Sequence, residues 1–234
     1  MNLFYQPHIA EGIHHLDLEE SRHCIKVLRR KVGDSLVITD GKGFFYDAII
    51  TVASEKECRF EIKKSTAAAT PSFQIHIAIS PTKNNERIEW FVEKAVEFGI
   101  HRISLIECDH TERAYLKSDR LRKVAVSAMK QSLKPQLPLI DEVTTLKKLL
   151  PSITAQQRFI AYVDSNNPLH LQHAAVAAQS YCVLVGPEGD FSRDELEQSV
   201  VAGFQKVSLG QSRLRTETAG LAACHILNLV NEVR

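Results

Sequence analysis

The sequence predicts a two-part α/β protein: a small β-barrel with one helix, followed by a larger, mainly parallel sheet with helices on both faces. Three observations carry this reading. Short strand-like runs crowd positions 1–63. A small, polar stretch with a proline and no periodicity, STAAATPS at 65–72, reads as a linker. Beyond it strand patterns alternate with helical ones, as in parallel sheets whose crossovers are helices.

In chain order, strands are predicted over 3–5, 35–39, 44–52 and 59–62, with Asp40-Gly41 turning between the second and third. One helix is predicted over 18–30, with Asp17 as its N-cap. After the linker, a strand over 73–79 leads to a helix over 84–98. Its Ile88, Phe91, Val92, Ala95 and Val96 share a face, and it stops at Gly99. Further strands are expected over 102–106, 158–163, 181–185 and 206–209, and helices over 119–133, 194–202 and 217–230. Trp90, on the amphipathic helix, is expected in the core rather than as a base-stacking platform. The domain division is 1–70 and 71–234.

Composition excludes several classes. The chain has 234 residues, 44% of them hydrophobic, and 29 Lys+Arg against 28 Asp+Glu give a formal charge of +1. That is an ordinary globular composition, neither disordered nor fibrous. The longest apolar runs are strand-sized, far below the roughly 18–20 residues of a membrane helix. The first twenty residues carry His8, His14, His15, Glu11, Asp17, Glu19 and Glu20 without a basic start or an apolar block, so no signal peptide is expected and a cytoplasmic location is. Cys24, Cys58, Cys108, Cys182 and Cys224 lie far apart with no C-x-x-C spacing, which fits reduced packing residues. The ten histidines show no metal-binding spacing, and no metal is expected.

The near-zero net charge hides two basic clusters. Arg113, Lys117, Arg120, Arg122, Lys123, Lys130 and Lys134 face one acid, Asp119, over 113–134. Arg22, Lys26, Arg29, Arg30 and Lys31 have no acid between them. Clustered bases form a phosphate-binding footprint that a whole-chain sum conceals, although charge runs are also ordinary solvated faces. His23 sits among them, as an RNA contact or as a structural histidine.

Two late stretches each place a polar loop directly after an apolar strand. The first, VLVGPEGDFS at 183–192, has Gly186 and Gly189 for close backbone approach, Pro187 to stiffen the turn, and Ser192 with Glu195 as a capping box. It reads either as a tight turn or as a backbone-lined pocket. Glu188 and Asp190 would repel an anion, so the pocket suits a cationic or hydroxyl-rich ligand. No dinucleotide or P-loop signature is present. The second stretch, LGQSRLRTETA at 209–219, gathers Arg213, Arg215, Thr216, Glu217 and Thr218 at a helix start, either around a ligand or as a helix capped by Thr216 with solvated arginines.

Together, GPEGDFS at 186–192 and LGQSRLRTETA at 209–219 resemble the RsmE family of 16S ribosomal RNA uridine N3-methyltransferases, of the SPOUT superfamily. HCIKVLR at 23–29, Lys83 with Glu86 and Arg87, KAVEFG at 94–99 and AMKQSLKPQLP at 128–138 agree, so the resemblance spans nearly the whole chain. It departs at Asp190, where relatives commonly have glycine, and at Lys130 and Lys134, where many have an acid and an arginine. The resemblance implies an N-terminal PUA-like β-barrel that binds RNA over 1–70. It implies a SPOUT-type α/β domain with a deep trefoil knot over 71–234, an exception to the rule against knots. It implies a homodimer acting on 16S rRNA, within the 30S subunit.

The cofactor implied is S-adenosyl-L-methionine, held by Leu184, Val185, Gly186, Glu188, Gly189, Leu209, Gly210, Leu214, Arg215, Thr216 and Thr218. RNA contacts are implied at Arg22, His23, Lys26, Arg29, Arg30, Lys83, Arg87, Arg113, Arg122, Lys130 and Lys134. The sulfonium is already activated, so alignment is the main task and no metal is required. Uracil N3 carries a proton at neutral pH and attacks once it is lost, which calls for a base and a cation in a dry site. Arg215 is assigned the cation, since arginine stays charged when desolvated, and Glu217 the base. Two competing readings are a noncatalytic ribosome-binding factor and a related knotted methyltransferase acting on transfer RNA or a ribose oxygen. The intact Arg215, Thr216, Glu217 and Thr218 argue against the first.

Overall fold

The computed structural model describes residues 2–112, 116, 118–162 and 169–232. Its backbone contacts divide into two units, Met1–Thr70 with Val126–Leu137, and Pro71–Ala125 with Pro138–Arg234.

In the first unit the chain runs through β1 (Leu3–Tyr5), α1 (Leu18–Arg22), β2 (Ser35–Thr39), β3 (Phe44–Val52) and β4 (Arg59–Ala67). The strands form one sheet in the order β1-β2-β3-β4, in which β1 pairs parallel with β2 and the other pairs are antiparallel. Alternation on β3 turns Tyr46, Ala48 and Ile50 inward against Phe4, Leu16, Ile38, Cys58 and Phe60. Asp17 caps α1 by accepting the Glu20 amide at 2.8 Å. The predicted helix over 18–30 is shorter: α1 passes into a π-helical turn, His23–Val27, and Arg29 adopts a left-handed φ of 55° that no helix continues through. The linker also begins later than predicted, because Ser65, Thr66 and Ala67 extend β4 opposite Tyr46, Phe45 and Phe44. Pro135 ties the 126–137 segment to this unit, its carbonyl accepting from the Gly43 amide at 3.0 Å and from Thr39 Oγ1 at 3.1 Å.

The second unit contains β5 (Gln74–Ile79), α2 (Asn85–Glu97), β6 (Arg102–Glu107), α3 (Ser118–Gln131), β7 (Leu139–Ile140), β8 (Thr144–Thr145), α4 (Leu146–Leu149), β9 (Gln157–Ala161), α5 (Leu171–Ala174), β10 (Ser180–Val185), α6 (Arg193–Val201), β11 (Gln205–Val207) and α7 (Thr216–Asn231). The unit division falls within α3. Among the described residues seven strands, all paired in parallel, make one sheet in the order β11-β9-β10-β5-β6-β7, with β8 beside β6. The continuous apolar run of β10, YCVLV at 181–185, accounts for its central place. One face packs Ala78, Ile106, Leu146, Leu149, Ile160, Leu184, Phe191 and Phe204. On β5, Ile79 points the other way, where a Cβ on Gly220 of α7 would lie 2.8 Å from both Ile79 Cδ1 and Phe91 Cε2 of α2. Asn84 caps α2, and Gly99 leaves it with a φ of 78°.

The strand predicted over 158–163 ends at Ala161, and Val163 lies outside the described residues. That predicted over 206–209 ends at Val207, which frees Ser208 and Leu209 for the loop beyond it. The short β7, β8, α4 and α5 escape prediction because two to four residues show no periodicity. All five cysteines are free and buried. No helix among the described residues is long and apolar enough to cross a membrane.

Candidate active site

The loops that follow β5, β6, β10 and β11 leave the carboxyl ends of parallel strands, where sheets of this kind bind ligands. The loop after β10 is held by its own chemistry. Ser192 and Glu195 form the predicted capping box: Glu195 N donates to Ser192 Oγ at 3.3 Å, and Ser192 N to Glu195 Oε2 at 2.9 Å. Gly186 and Gly189 serve close approach, since a Cβ would sit 3.0 Å from the Phe191 ring and from His110 Cβ respectively. The positive φ falls instead on Asp190, at 63°, and its side chain compensates by accepting the Phe191 amide at 2.8 Å.

Sequence reasoning missed the brace on this loop. The segment after β6 contributes Asp109, whose Oδ2 accepts from Ser192 Oγ at 2.6 Å and whose amide donates to Glu195 Oε1 at 2.9 Å. His110 Nδ1 donates to the Asp190 carbonyl at 2.9 Å. Thr111 Oγ1 takes the Cys108 amide at 2.8 Å and meets Ser80 Oγ at 2.9 Å. No motif marks these residues, because their partners lie up to 86 positions away.

The two motif loops meet where Thr216 Oγ1 donates to the Gly186 carbonyl at 3.1 Å. Thr216 therefore does not cap α7, as the solvated-helix reading supposed. It is the first helical residue, Arg215 occupies the N-cap position without a side-chain cap, and the threonine hydroxyl crosses to the other loop. Glu217 is buried, at 7% exposure, and its Oε2 has no hydrogen-bond partner. An orphaned buried carboxylate oxygen is costly and marks a place for a donor. Arg87 lies between two acids, its Nε 3.9 Å from Glu217 Oε1 and its Nη1 3.7 Å from Glu188 Oε1.

Arg215, Glu217 and Thr218 line a cavity of about 280 Å3 with Asn84, Glu86, Arg87 and Trp90. Of the residues expected to hold a cofactor, Leu184 and Val185 bury their side chains in the sheet, leaving only their backbone to meet a ligand. Gly186, Glu188, Gly189, Leu209, Gly210, Leu214 and Thr216 do not line this cavity. Gly210 is exposed with a φ of 127°, and a Cβ there would meet nothing within 4 Å.

Trp90 is not in the core as expected: it is 42% exposed. The signal was available, because position 90 lies two residues beyond Ile88 and hence about 200° round the helix from it.

The expected RNA contacts divide. Arg22, His23, Lys26 and Arg29 are exposed on α1 and the turns after it, and Arg30 is half-buried. Lys130 instead pairs with Glu20 inside the same unit, while Lys134 is half-buried. Arg122 pairs with Asp119 at 3.3 Å and Glu142 at 3.4 Å, Lys83 with Glu112 at 3.1 Å, and Arg120 with Glu89 at 2.6 Å. Seven bases and one acid give +6 over positions 113–134, and Glu89, Glu142 and Glu20 from outside that range offset part of it. Arg113 and Lys117 lie outside the described residues. No group of three or more His, Cys, Asp or Glu suited to a metal ion occurs among the described residues.

The chain resembles known proteins along its length. The RNA methyltransferase domain family matches residues 69–228, and the RNA methyltransferase PUA domain family matches residues 16–63. The ribosomal RNA small subunit methyltransferase E of Bacillus subtilis is 25% identical, covering 92% of this chain and 89% of that protein. The crystal structure of a probable rRNA-methyltransferase from Porphyromonas gingivalis is 42% identical, with a TM-score of 0.92 over 99% of this chain and 98% of that one. A ribosomal RNA small subunit methyltransferase E from Neisseria gonorrhoeae, solved bound to S-adenosyl methionine, is 26% identical, with a TM-score of 0.85 over 99% of this chain and 98% of that one. A family match across 69–228, joined to the loops just described, establishes that the chain belongs to the RNA methyltransferase family.

Proposed function

We propose that this protein transfers a methyl group from S-adenosylmethionine to N3 of a uridine in 16S rRNA, acting as a cytoplasmic homodimer on the small ribosomal subunit. The observation that carries the reading is the junction of the two motif loops, with Thr216 bonded to the Gly186 carbonyl and Glu217 buried beside Arg87. The names of the Bacillus subtilis and Neisseria gonorrhoeae relatives, and the ligand of the latter, support it. The barrel over 1–70 is assigned to RNA binding, and the knotted SPOUT-type domain over 71–234 to catalysis.

The residues present fit the cofactor. Backbone groups of Leu184 to Gly186, with Gly189, Leu209, Gly210 and Leu214, would take its adenine and ribose. Glu188, Thr216 and Thr218 would add polar partners, and the acids suit a cationic ligand. When bound, S-adenosylmethionine supplies a methyl group already activated by its sulfonium. Glu217 takes the proton from uracil N3 at its unpartnered Oε2. Arg87, 3.9 Å from the other oxygen of Glu217, is its charge partner. Arg215 stabilises the uracil anion left behind. On the barrel, Arg22, His23, Lys26, Arg29 and Arg30 meet phosphates, joined by Arg113 and Lys134 and by whichever of Lys83, Arg122 and Lys130 exchange their present partners for RNA.

The test is mass spectrometry of nucleosides from 30S subunits and free 16S RNA, both lacking the modification, after incubation with protein and S-adenosylmethionine. N3-methyluridine at one site is the expected result. Methylation at another atom, or none on either substrate, overturns the reading.

A further inference from the structure

Trp90 is the feature of the cavity that the proposed mechanism leaves unused. On α2 the apolar stripe of Ile88, Phe91, Val92, Ala95 and Val96 is buried to within 2% exposure, and Trp90 points the other way. Helical side chains lean toward the helix N-terminus, which brings the indole over the turn carrying Glu86 and Arg87. All three line the same cavity, opposite Arg215, Glu217 and Thr218 from α7.

At 42% exposure the indole presents apolar area that a flat partner could cover. The walls specify the cover. About 280 Å3 lies just below the range of about 300–1,000 Å3 typical of small-molecule clefts, which gives room for a ring system. The cavity is lined by an indole, two guanidinium groups and the carboxylates of Glu86 and Glu217, the latter with an unpartnered Oε2. A uracil complements that set, since its N3–H donor is flanked by two carbonyl acceptors and its ring has a π face. Sequence-tolerant capture of single-stranded bases uses the same pairing of aromatic stacking with positive charge.

We propose that Trp90 is the platform on which the target uracil stacks, so that the base lies with its imide edge toward Glu217, Arg87 and Arg215. The proposal rests on the uridine methyltransferase reading and adds a substrate-contacting residue to it. Trp90 is the sole tryptophan of the chain, so its emission reports directly on the contact.

Two measurements test it. Decauridylate titrated into the full-length protein should quench Trp90 emission, whereas an abasic strand of equal phosphate count should not. In methyl transfer to 30S subunits, W90A should lower kcat/KM for RNA about 5- to 150-fold, the loss equivalent to one aromatic–base stack, with W90F restoring it to within about threefold. Affinity for S-adenosylhomocysteine should be unchanged in both variants. Equal quenching by the abasic strand, wild-type kcat/KM in W90A, or a loss in W90A accounted for by cofactor affinity or by a changed sedimentation coefficient would each overturn the proposal. If wild-type protein methylates no uridine yet decauridylate quenches selectively, the parent reading falls while the base platform stands.

Discussion

Arg215 and Glu217 stand two positions apart at the start of α7, one exposed and one buried, and this contrast assigns their roles. An exposed charge can follow the substrate's developing charge, whereas a buried carboxylate has less room to move. Replacing Arg215 by Ala should therefore lower kcat about 10²- to 10³-fold, the loss expected for one transition-state charge contact. Its cofactor Kd, measured by calorimetry, should stay within about threefold of wild type. Lost cofactor binding with turnover intact at saturation would show that Arg215 holds the cofactor instead. Glu217→Gln keeps the shape but removes the basic oxygen, so its turnover should fall while RNA affinity holds.

At the scale of elements, the contact that sets α7 against the sheet is Gly220. An added Cβ would lie 2.8 Å from Ile79 Cδ1 and Phe91 Cε2, and both side chains are completely buried with nowhere to move. Overpacking of this kind costs about 1–3 kcal/mol, while Ala gains up to about 1 kcal/mol over Gly in a helix. Gly220→Ala should thus be net destabilising by about 1–2 kcal/mol, read as a lower urea midpoint at constant m-value. A midpoint at or above wild type would mean that α7 shifts freely. Since α7 begins with Thr216 and Glu217 and α2 carries Arg87 and Trp90, the same substitution displaces cavity residues on both sides.

At the scale of the whole molecule, one partly buried network links two groups whose ionisation is shifted. His76 Nε2 meets Ser104 Oγ at 2.7 Å, and Ser104 donates to Asp141, which also accepts from Arg102 Nε at 2.8 Å. Burial, reinforced by the Arg102 charge and opposed by Asp141, pushes His76 down to about 4. Burial raises Asp141, but hydrogen bonds from Arg102 and Ser104 and the guanidinium charge outweigh it and hold that carboxyl below its ordinary value. The unfolded chain binds a proton at His76 below about pH 6.5, while the folded chain resists it until about pH 4. Stability therefore stays complete above about pH 6.5 and is lost as pH falls toward 4, by about 3 kcal/mol from this group. Denaturant melts at several pH values should show this limb, and His76→Gln should flatten it. An unchanged slope in the variant would assign the limb to other groups, among them His101, which burial also pushes down, and the carboxylates.

The sequence by itself determined what local forces decide. The strands over 3–5, 35–39 and 44–52 coincide with β1, β2 and β3, because alternation and turn residues act over a few positions. The cap at Asp17 and the capping box at Ser192 were legible for the same reason. So were the two loops of the candidate site, since each follows a strand and carries its own turn chemistry. Tertiary structure decided what depends on distant partners. Lys130 was read as an RNA contact but meets Glu20, which is 110 positions away. Arg87, also read as an RNA contact, stands between Glu188 and Glu217, and the exposed Trp90 joins it in the cavity. A residue's neighbours along the chain fix its backbone conformation. Which charge or ring it faces is fixed only when sheet order and helix packing bring remote segments within a few ångströms.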